Sequence, residues 1–471
     1  MLKNLRIKNF KGWKDTGVIE LAPITVLFGS NSSGKSSIGQ FLVMLKQTVR
    51  QSDRKMVLLL NGPQASVDLG SVSDVFHDHN LEEDMEFSYE WDMDAKAELE
   101  NSIKKDFYDQ IEFECGIRVS DPETRYLEVN EFRYRLYEME KLKLSVGMKK
   151  ETGEKGNRNY ILDSDINFER IKAARAGKLT EPVKFYGFSD AALAYYKDSD
   201  FLQDLNLYQE DFFSKFYYLG PMRTETKRTY NWSGVNPEGV GDAGENTIAA
   251  ILSAKKQDKR LKFQNTIYKD FEVIVSESLK KMGLIEEYKV EKISDRQEYE
   301  VKVRIKGAKS FVGLPDVGFG VSQVLPVIVQ LFYVPDNSVI FIEQPEIHLH
   351  PNAQALLADV IIDAVNMRED GKDRNIQVII ETHSEHLLRR FQRRISEEKL
   401  STSDLKAYFA RNNRQASKLD KLKVDKYGNI LNWPEGFFGD IEDDMYHQSM
   451  NALSRRIAER EKKDEMSILQ R

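Results

Sequence analysis

Gly29-Ser-Asn-Ser-Ser-Gly34-Lys35-Ser36 is a complete Walker A phosphate loop. It follows the apolar run Ile24-Thr-Val-Leu-Phe28 and precedes Ile38-Gly-Gln-Phe-Leu-Val-Met-Leu-Lys46. A strand, a glycine loop and a helix in that order aim backbone N–H groups and a helix N-terminus at phosphates. The phosphate-side candidates are Asn31, Ser33, Gly34, Lys35, Ser36 and Ser37. Lys35 is expected to reach the β and γ phosphates as a point charge, and the Ser36 hydroxyl to coordinate Mg²⁺ beside phosphate oxygens and waters. The loop reads phosphates, so ATP and GTP both remain open at this point.

Outward from the loop, the chain is long enough, at 471 residues, for about two to four structural units and needs no disulfide or metal staple. Its single cysteine, Cys115, cannot form an internal disulfide, and the alternation of Gln110-Ile-Glu-Phe-Glu-Cys-Gly116 places it on a strand as a buried, inert thiol. No run approaches the ~18 apolar residues of a transmembrane helix, and together these features predict a reducing cytoplasm. The net charge of −7 hides an asymmetry: residues 1–60 carry ten Lys and Arg against three Asp and Glu, which leaves the remainder near −14. That basic surface is compatible with DNA, although solvated strand and helix faces are the favoured account of it.

Residues 85–161 alternate like antiparallel strands with one solvated face, as in Met85-Glu-Phe-Ser-Tyr-Glu-Trp91. A helical and loop-rich stretch from Ser189 to Asp242 follows, its aromatics around Phe212 to Tyr218 read as core. Thr247 to Met282 reads as helical, and Glu298 to Ile305 as a strand. Neither a repeat nor a low-complexity linker interrupts the chain.

A second constellation begins about 280 residues after the loop. Asp316-Val-Gly-Phe-Gly320-Val-Ser322-Gln323 precedes an apolar segment, and the buried strand Val339-Ile-Phe-Ile342 ends in Glu343-Gln344-Pro345-Glu346. A carboxylate just past an apolar strand is where a Walker B group meets Mg²⁺, so Glu343 is the metal-side candidate with Ser36. Ile347-His-Leu-His-Pro351, a helix from Asn352 to Val365 and the strand Gln377-Val-Ile-Ile380, ending in Glu381-Thr-His383-Ser384, complete the set. Polar clusters at strand ends are where α/β sheets place ligands. Gly318, Gly320, Ser322 and Gln323 offer close backbone approach and a hydroxyl at a helix N-terminus. His348 and His350 have no Cys partner nearby, which favours a loop-shaping role over zinc.

These residues resemble a group of ATPases with an ABC-type head, related to the SMC and RecF heads and the OLD nucleases. The likeness is greatest to AAA-family bacterial ATPases carrying the domain of unknown function DUF3696. It is borne by Ile342-Glu-Gln-Pro-Glu-Ile-His-Leu-His-Pro351, Gly220-Pro-Met-Arg223 and the ending from Asp425 to Phe438. The resemblance implies an α/β ABC-type head with a P-loop mixed sheet, an antiparallel β lobe and an inserted helical region. Its expected division is lobe I at 1–190, an insertion at 191–310, lobe II at 311–400 and a DUF3696-like segment at 401–471. It further implies that Asp316 to Gln323 is the ABC signature, that His383 is the switch histidine, and that two heads sandwich ATP and Mg²⁺.

Where ABC heads carry a catalytic glutamate after the Walker B carboxylate, this chain has Gln344, which orients water but accepts no proton. Turnover is therefore expected to be slow, with Glu343, Gln344, Glu346 and His383 as the catalytic set and either Gln344 or Glu346 serving the attacking water. Only 88 residues follow His383, too few for the Toprim nuclease domain of the OLD group, and the acidic cluster Asp440, Glu442, Asp443, Asp444 reads as a solvated face. The expected partners are a second copy or higher homo-oligomer and a separately encoded effector, in bacterial anti-phage defence by family analogy. The alternative is a DNA-clamping repair ATPase like the RecF heads, using the basic helix Leu387 to Arg394 and the basic first strand. A transporter's ATP subunit fits less well, given the large inserted strand region. Arg223 and Arg228 could reach phosphate or the dimer partner, or pair with Glu225 or Glu238.

Overall fold

The computed structural model describes residues 1–101, 104–121, 123–152, 158–171, 177–263, 266–293, 297–413, 416–434 and 446–457, and counts refer to these. The acidic cluster of residues 440–444 lies outside them. Residues Met1–Leu431 form one compact unit and Asn432–Arg471 a second. In the second, residues 446–457 form an exposed helix.

The strand that carries the phosphate loop, Ile24–Gly29, sits fourth in a six-stranded sheet. Across that sheet the order is Phe216–Leu219, Val339–Glu343, Gln377–Glu381, Ile24–Gly29, Leu405–Asn413 and Ala416–Lys421. The first five run parallel and the last is antiparallel at the edge. Val339–Glu343 and Gln377–Glu381 are buried at every position, the pattern of parallel strands covered on both faces. All three site-bearing strands therefore end on one edge of the sheet. In register, Glu343 lies opposite Glu381, and Glu381 lies opposite Leu27.

An eight-stranded antiparallel sheet forms a second layer, built from the Leu2–Phe10 region and the meander between Met85 and Ser164. The helix Lys35–Arg50 ties the two layers together. Phe41 stands edge-on to Phe10 of the first strand (5.1 Å) and to Phe87 of the meander (5.0 Å), and on the helix's other side Gly39 meets Phe341 of the nucleotide sheet. Full burial of a side chain such as Phe41 contributes roughly 2 to 3 kcal/mol. Cys115 is buried in the meander, its thiol donating to the Phe185 carbonyl (3.3 Å), and burial pushes its pKa well up.

Before the loop there are four strands, because Trp13–Asp15 and Ile19–Glu20 fold back on Leu2–Phe10. One local expectation changes. Thr247 to Met282 is two helices, Thr247–Lys256 and Phe271–Lys281, separated by the strands Arg260–Phe263 and Lys269–Asp270. Arg260–Phe263 pairs with Met367–Glu369, a hundred residues on, and this long-range pairing overrides the local helical pattern. Among the described residues no helix is long and apolar enough to cross a membrane.

Candidate nucleotide site

The loop turns on two left-handed residues, Ser32 (φ 60°) and Gly34 (φ 88°), the latter capping the helix Lys35–Arg50. No side chain caps that helix and no acid sits in its first turn, so its first N–H groups face the loop unopposed. Trp13 braces the loop from behind: its indole N–H lies 3.0 Å from the Gly34 carbonyl and 2.9 Å from the Ser37 hydroxyl. A Cβ on Gly34 would stand 3.1 Å from that indole and 2.8 Å from Ser417 Oγ, so glycine is required twice, for φ and for space. The Ser37 hydroxyl also donates to the Gly34 carbonyl (2.6 Å) and is engaged in holding the loop. Asn31 is exposed at the rim, and Ser33 is buried.

Lys35 is 3% exposed and folded onto its own loop, donating to the carbonyls of Gly29 (3.0 Å) and Ser30 (2.7 Å). Burial lowers its pKa, while Glu381 and Glu346 pull it back up. Ser36 donates from its hydroxyl to Glu381 Oε1 at 2.8 Å. The expected metal-side partner, Glu343, lies one strand further out, where its Oε1 accepts from the Tyr218 hydroxyl (2.8 Å) and its carbonyl from Arg223 Nη2 (3.1 Å). Glu346 accepts the backbone N–H of His383 (2.8 Å), and the Gln344 N–H donates to the Glu381 carbonyl (2.8 Å) from a left-handed φ of 45°. His383 itself is exposed, and partial burial with nearby Lys35 lowers its pKa.

Three carboxylates, Glu343, Glu346 and Glu381, are thus buried together against Lys35 and Arg223, and the pKa of each is raised, chiefly by burial. Buried like charges are costly unless a cation joins them. Glu346 Oε2, Glu381 Oε2 and Arg223 Nε and Nη1 are buried with no hydrogen-bond partner among the described residues. This donor set fits Mg²⁺ with a polyphosphate: an ion that takes one or two carboxylates and keeps waters and phosphates, in place of an all-protein cage. Among the described residues no group of three or more His, Cys, Asp or Glu side chains is arranged to hold a metal ion.

Residues 1–388 match the family model described as AAA ATPase domain. The chain belongs to that AAA ATPase family. Residues 400–448 match a second model, the protein of unknown function DUF3696. Among solved structures, the chain is similar to an SMC head bound to the C-winged helix domain of ScpA (13% identity, 90% of this chain and 99% of that one, TM-score 0.43). It is also similar to the SMC head domain from Thermotoga maritima (10%, 90% and 99%, 0.40). A third is an SMC head with an extended coiled coil, bound to the C-terminal domain of ScpA derived from Pyrococcus furiosus (12%, 90% and 97%, 0.40). No curated protein matches. The AAA ATPase domain makes this a nucleotide-binding ATPase.

The Gly318–Gln323 stretch opens the helix Phe319–Tyr333, with Gly318 as its cap. Gly320 backs onto the His348 carbonyl, where a Cβ would approach to 3.2 Å, and Phe319 packs its ring beside His348 at 5.8 Å. The Ser322 hydroxyl turns back to the Phe319 carbonyl (2.8 Å), and Asp316 pairs with Arg228 (2.9 Å). None of these contacts reaches residues 29–37. His350 caps the next helix by accepting from the Asn352 N–H at 3.3 Å, so both histidines shape this loop. Arg223 and Arg228 pair with neither Glu225 nor Glu238; Glu238 bonds Arg50 instead. Trp13, Tyr218, Glu381 and Ser417 join the site without a sequence motif of their own. Only Glu381 carried a signal, as a carboxylate ending a buried strand beside His383.

The Glu343 carboxyl, pushed up to about 7 by burial and by Glu381, has a testable consequence for the nucleotide-free chain in chelator. A carboxyl whose folded pKa exceeds its unfolded value holds extra protons when folded, so stability is lost as pH rises through 7. His383, whose pKa is lowered, works the other way below about 6.5, and Lys46, lowered to about 8, does so above 8. Between pH 6.5 and 7.5 unfolding stability should therefore fall by about 0.5 kcal/mol. Glu343→Gln should flatten that slope, read by urea melts; a rising slope in the unaltered chain would refute the assignment.

Proposed function

We propose that this ATPase binds ATP with Mg²⁺ between two copies, the Gly318–Gln323 helix of one closing on the phosphate loop of the other. Lys35 and the helix N-terminus take the phosphates, Ser36 and the Glu343 side take the ion, and His383 senses the γ-phosphate. The observation that carries this reading is the signature helix: a Cβ on Gly318 would meet nothing within 4 Å, Gly320 backs onto the His348 carbonyl, Asp316 pairs with Arg228, and Phe319 at the helix start is 72% exposed. A glycine-bordered helix N-terminus beside an exposed aromatic suits a face completed by a second chain. ATP in place of GTP rests on the family likeness. The gated pair acts as a switch for a separately encoded protein effector, with anti-phage defence as the context the likeness suggests.

Molecular mass in solution tests this. With a non-hydrolysable ATP analogue and Mg²⁺ the mass should double, and Lys35→Ala or Ser322→Arg should each prevent it. A mass indifferent to nucleotide in the unaltered chain would sink the dimer reading.

We further propose slow hydrolysis, because Gln344 occupies the position after Glu343 and cannot accept a proton. Glu346 is bound to the His383 backbone, which supports a positioning role through that residue. Gln344→Glu should raise kcat about tenfold or more, within the usual contribution of a general base. An unchanged rate there, together with an inactive Glu346→Ala, would transfer the water to Glu346.

On the two elements that the DNA-clamp alternative invokes, the cations are held by acidic neighbours. Arg389 pairs with Glu385, Arg393 with Glu397, and Arg394 with Asp359, with Arg390 4.0 Å from the same Asp359. On the first strand Lys3, Arg6 and Lys8 pair with Asp92, Asp15 and Glu86. Cations already neutralised within the fold contribute little to phosphate binding.

A further inference from the structure

We propose that Glu381, and not Glu343 alone, readies the site for the magnesium ion by accepting the hydrogen bond of the Ser36 hydroxyl, so that the serine's lone pairs face the cation. This rests on the ATP–Mg²⁺ reading of the same site and assigns a further residue to it. Glu381 ends the strand directly beside the phosphate-loop strand, opposite Leu27. Glu343 ends the next strand out, about 4.8 Å further along the hydrogen-bonding direction. The hydroxyl of Ser36 lies 2.8 Å from Glu381 Oε1, in a pocket where Glu381 is 3% exposed.

A serine hydroxyl has one proton and two lone pairs. With the proton directed at an acceptor, both lone pairs turn elsewhere; with no acceptor, the hydroxyl rotates and presents hydrogen to a cation for part of the time. Glu381 supplies that acceptor and adds a negative charge behind the ligand, as carboxylates do behind metal-bound side chains. Its other oxygen, Oε2, is buried without a partner among the described residues and is free to accept from water on the ion. Glu343 differs: the Tyr218 hydroxyl already donates to it. Gln344, whose N–H is held by the Glu381 carbonyl, ties the two strand ends together, so the Glu381 backbone is fixed independently of its side chain.

Glu381 is a positioning residue in this scheme, and its signature is a split between metal-dependent and metal-free binding. A fluorescent ATP analogue is titrated into the full chain in EDTA, then Mg²⁺ is titrated at fixed nucleotide. In Glu381→Ala the Mg²⁺ midpoint should rise about 10- to 100-fold. Affinity in EDTA should stay the same or tighten a few-fold, because a negative charge beside the phosphates has gone. Glu381→Gln, which keeps the shape and an acceptor oxygen, should shift the midpoint less and guards against misfolding of the alanine variant. An unchanged midpoint in both variants, or equal weakening with and without Mg²⁺, overturns the proposal while leaving the nucleotide reading intact. Absence of binding by the unaltered chain overturns both.

Discussion

Replacing Lys35 by alanine should weaken ATP binding by at least about a hundredfold, close to 3 kcal/mol at about 1.4 kcal/mol per factor of ten. Two effects combine. The ammonium supplies charge-assisted hydrogen bonds to phosphate, which are roughly twice as strong as neutral ones. In addition, Lys35 satisfies the carbonyls of Gly29 and Ser30, which line the loop. Without the cation those oxygens, and the carboxylates of Glu381 and Glu346 behind them, meet the phosphates unopposed. Isothermal titration with ATP and Mg²⁺ measures the loss. The melting temperature of the nucleotide-free variant should fall as well, since the buried Glu381 and Glu346 and the two loop carbonyls lose their cation. Binding within threefold of the unaltered chain would mean that the loop does not hold phosphate through Lys35.

The phosphate loop was legible because its information is local: eight consecutive residues and their flanks define a strand, a turn and a helix. The antiparallel meander was legible for the same reason, as alternation is a short-range pattern. What sequence did not convey is order across the sheet. Glu343 and Glu381 both end buried apolar strands, and nothing in the string states that the later strand lies between the earlier one and the loop. Strand order is decided by packing among segments hundreds of residues apart, and so the Ser36–Glu381 contact, 345 residues apart, was invisible. Trp13 is illegible for a similar reason, since a tryptophan on a short strand reads as core and only the fold brings its N–H to Gly34. The basic helix showed its cations in sequence and hid their partners: Asp359 comes from the preceding helix, Pro351–Val365.

Gly39→Ala opposes local and tertiary expectations directly. In the interior of the helix Lys35–Arg50, alanine is favoured over glycine by about 1 kcal/mol, so propensity alone predicts a more stable protein. The packing predicts the reverse. A Cβ at position 39 would fall 2.0 Å from Phe341 Cε1 and 2.1 Å from its Cζ, where carbon atoms rest at about 3.5 to 4.0 Å. Phe341 cannot retreat, being fully buried in a strand paired on both sides. The helix must instead lift from the sheet, at a cost of about 3 kcal/mol or more for overpacking, for a net destabilisation of about 2 kcal/mol in urea unfolding. Because this helix carries Lys35 and Ser36 at its start, the same displacement should weaken ATP binding, which a surface defect would not do. A variant as stable as the parent would show that the close approach of helix and sheet is not required. Phe341→Leu offers the complementary check: alone it opens a cavity, but combined with Gly39→Ala it gives the new methyl room. The double variant should therefore be more stable than the sum of the two single losses, with a coupling of about 1 kcal/mol between residues in contact.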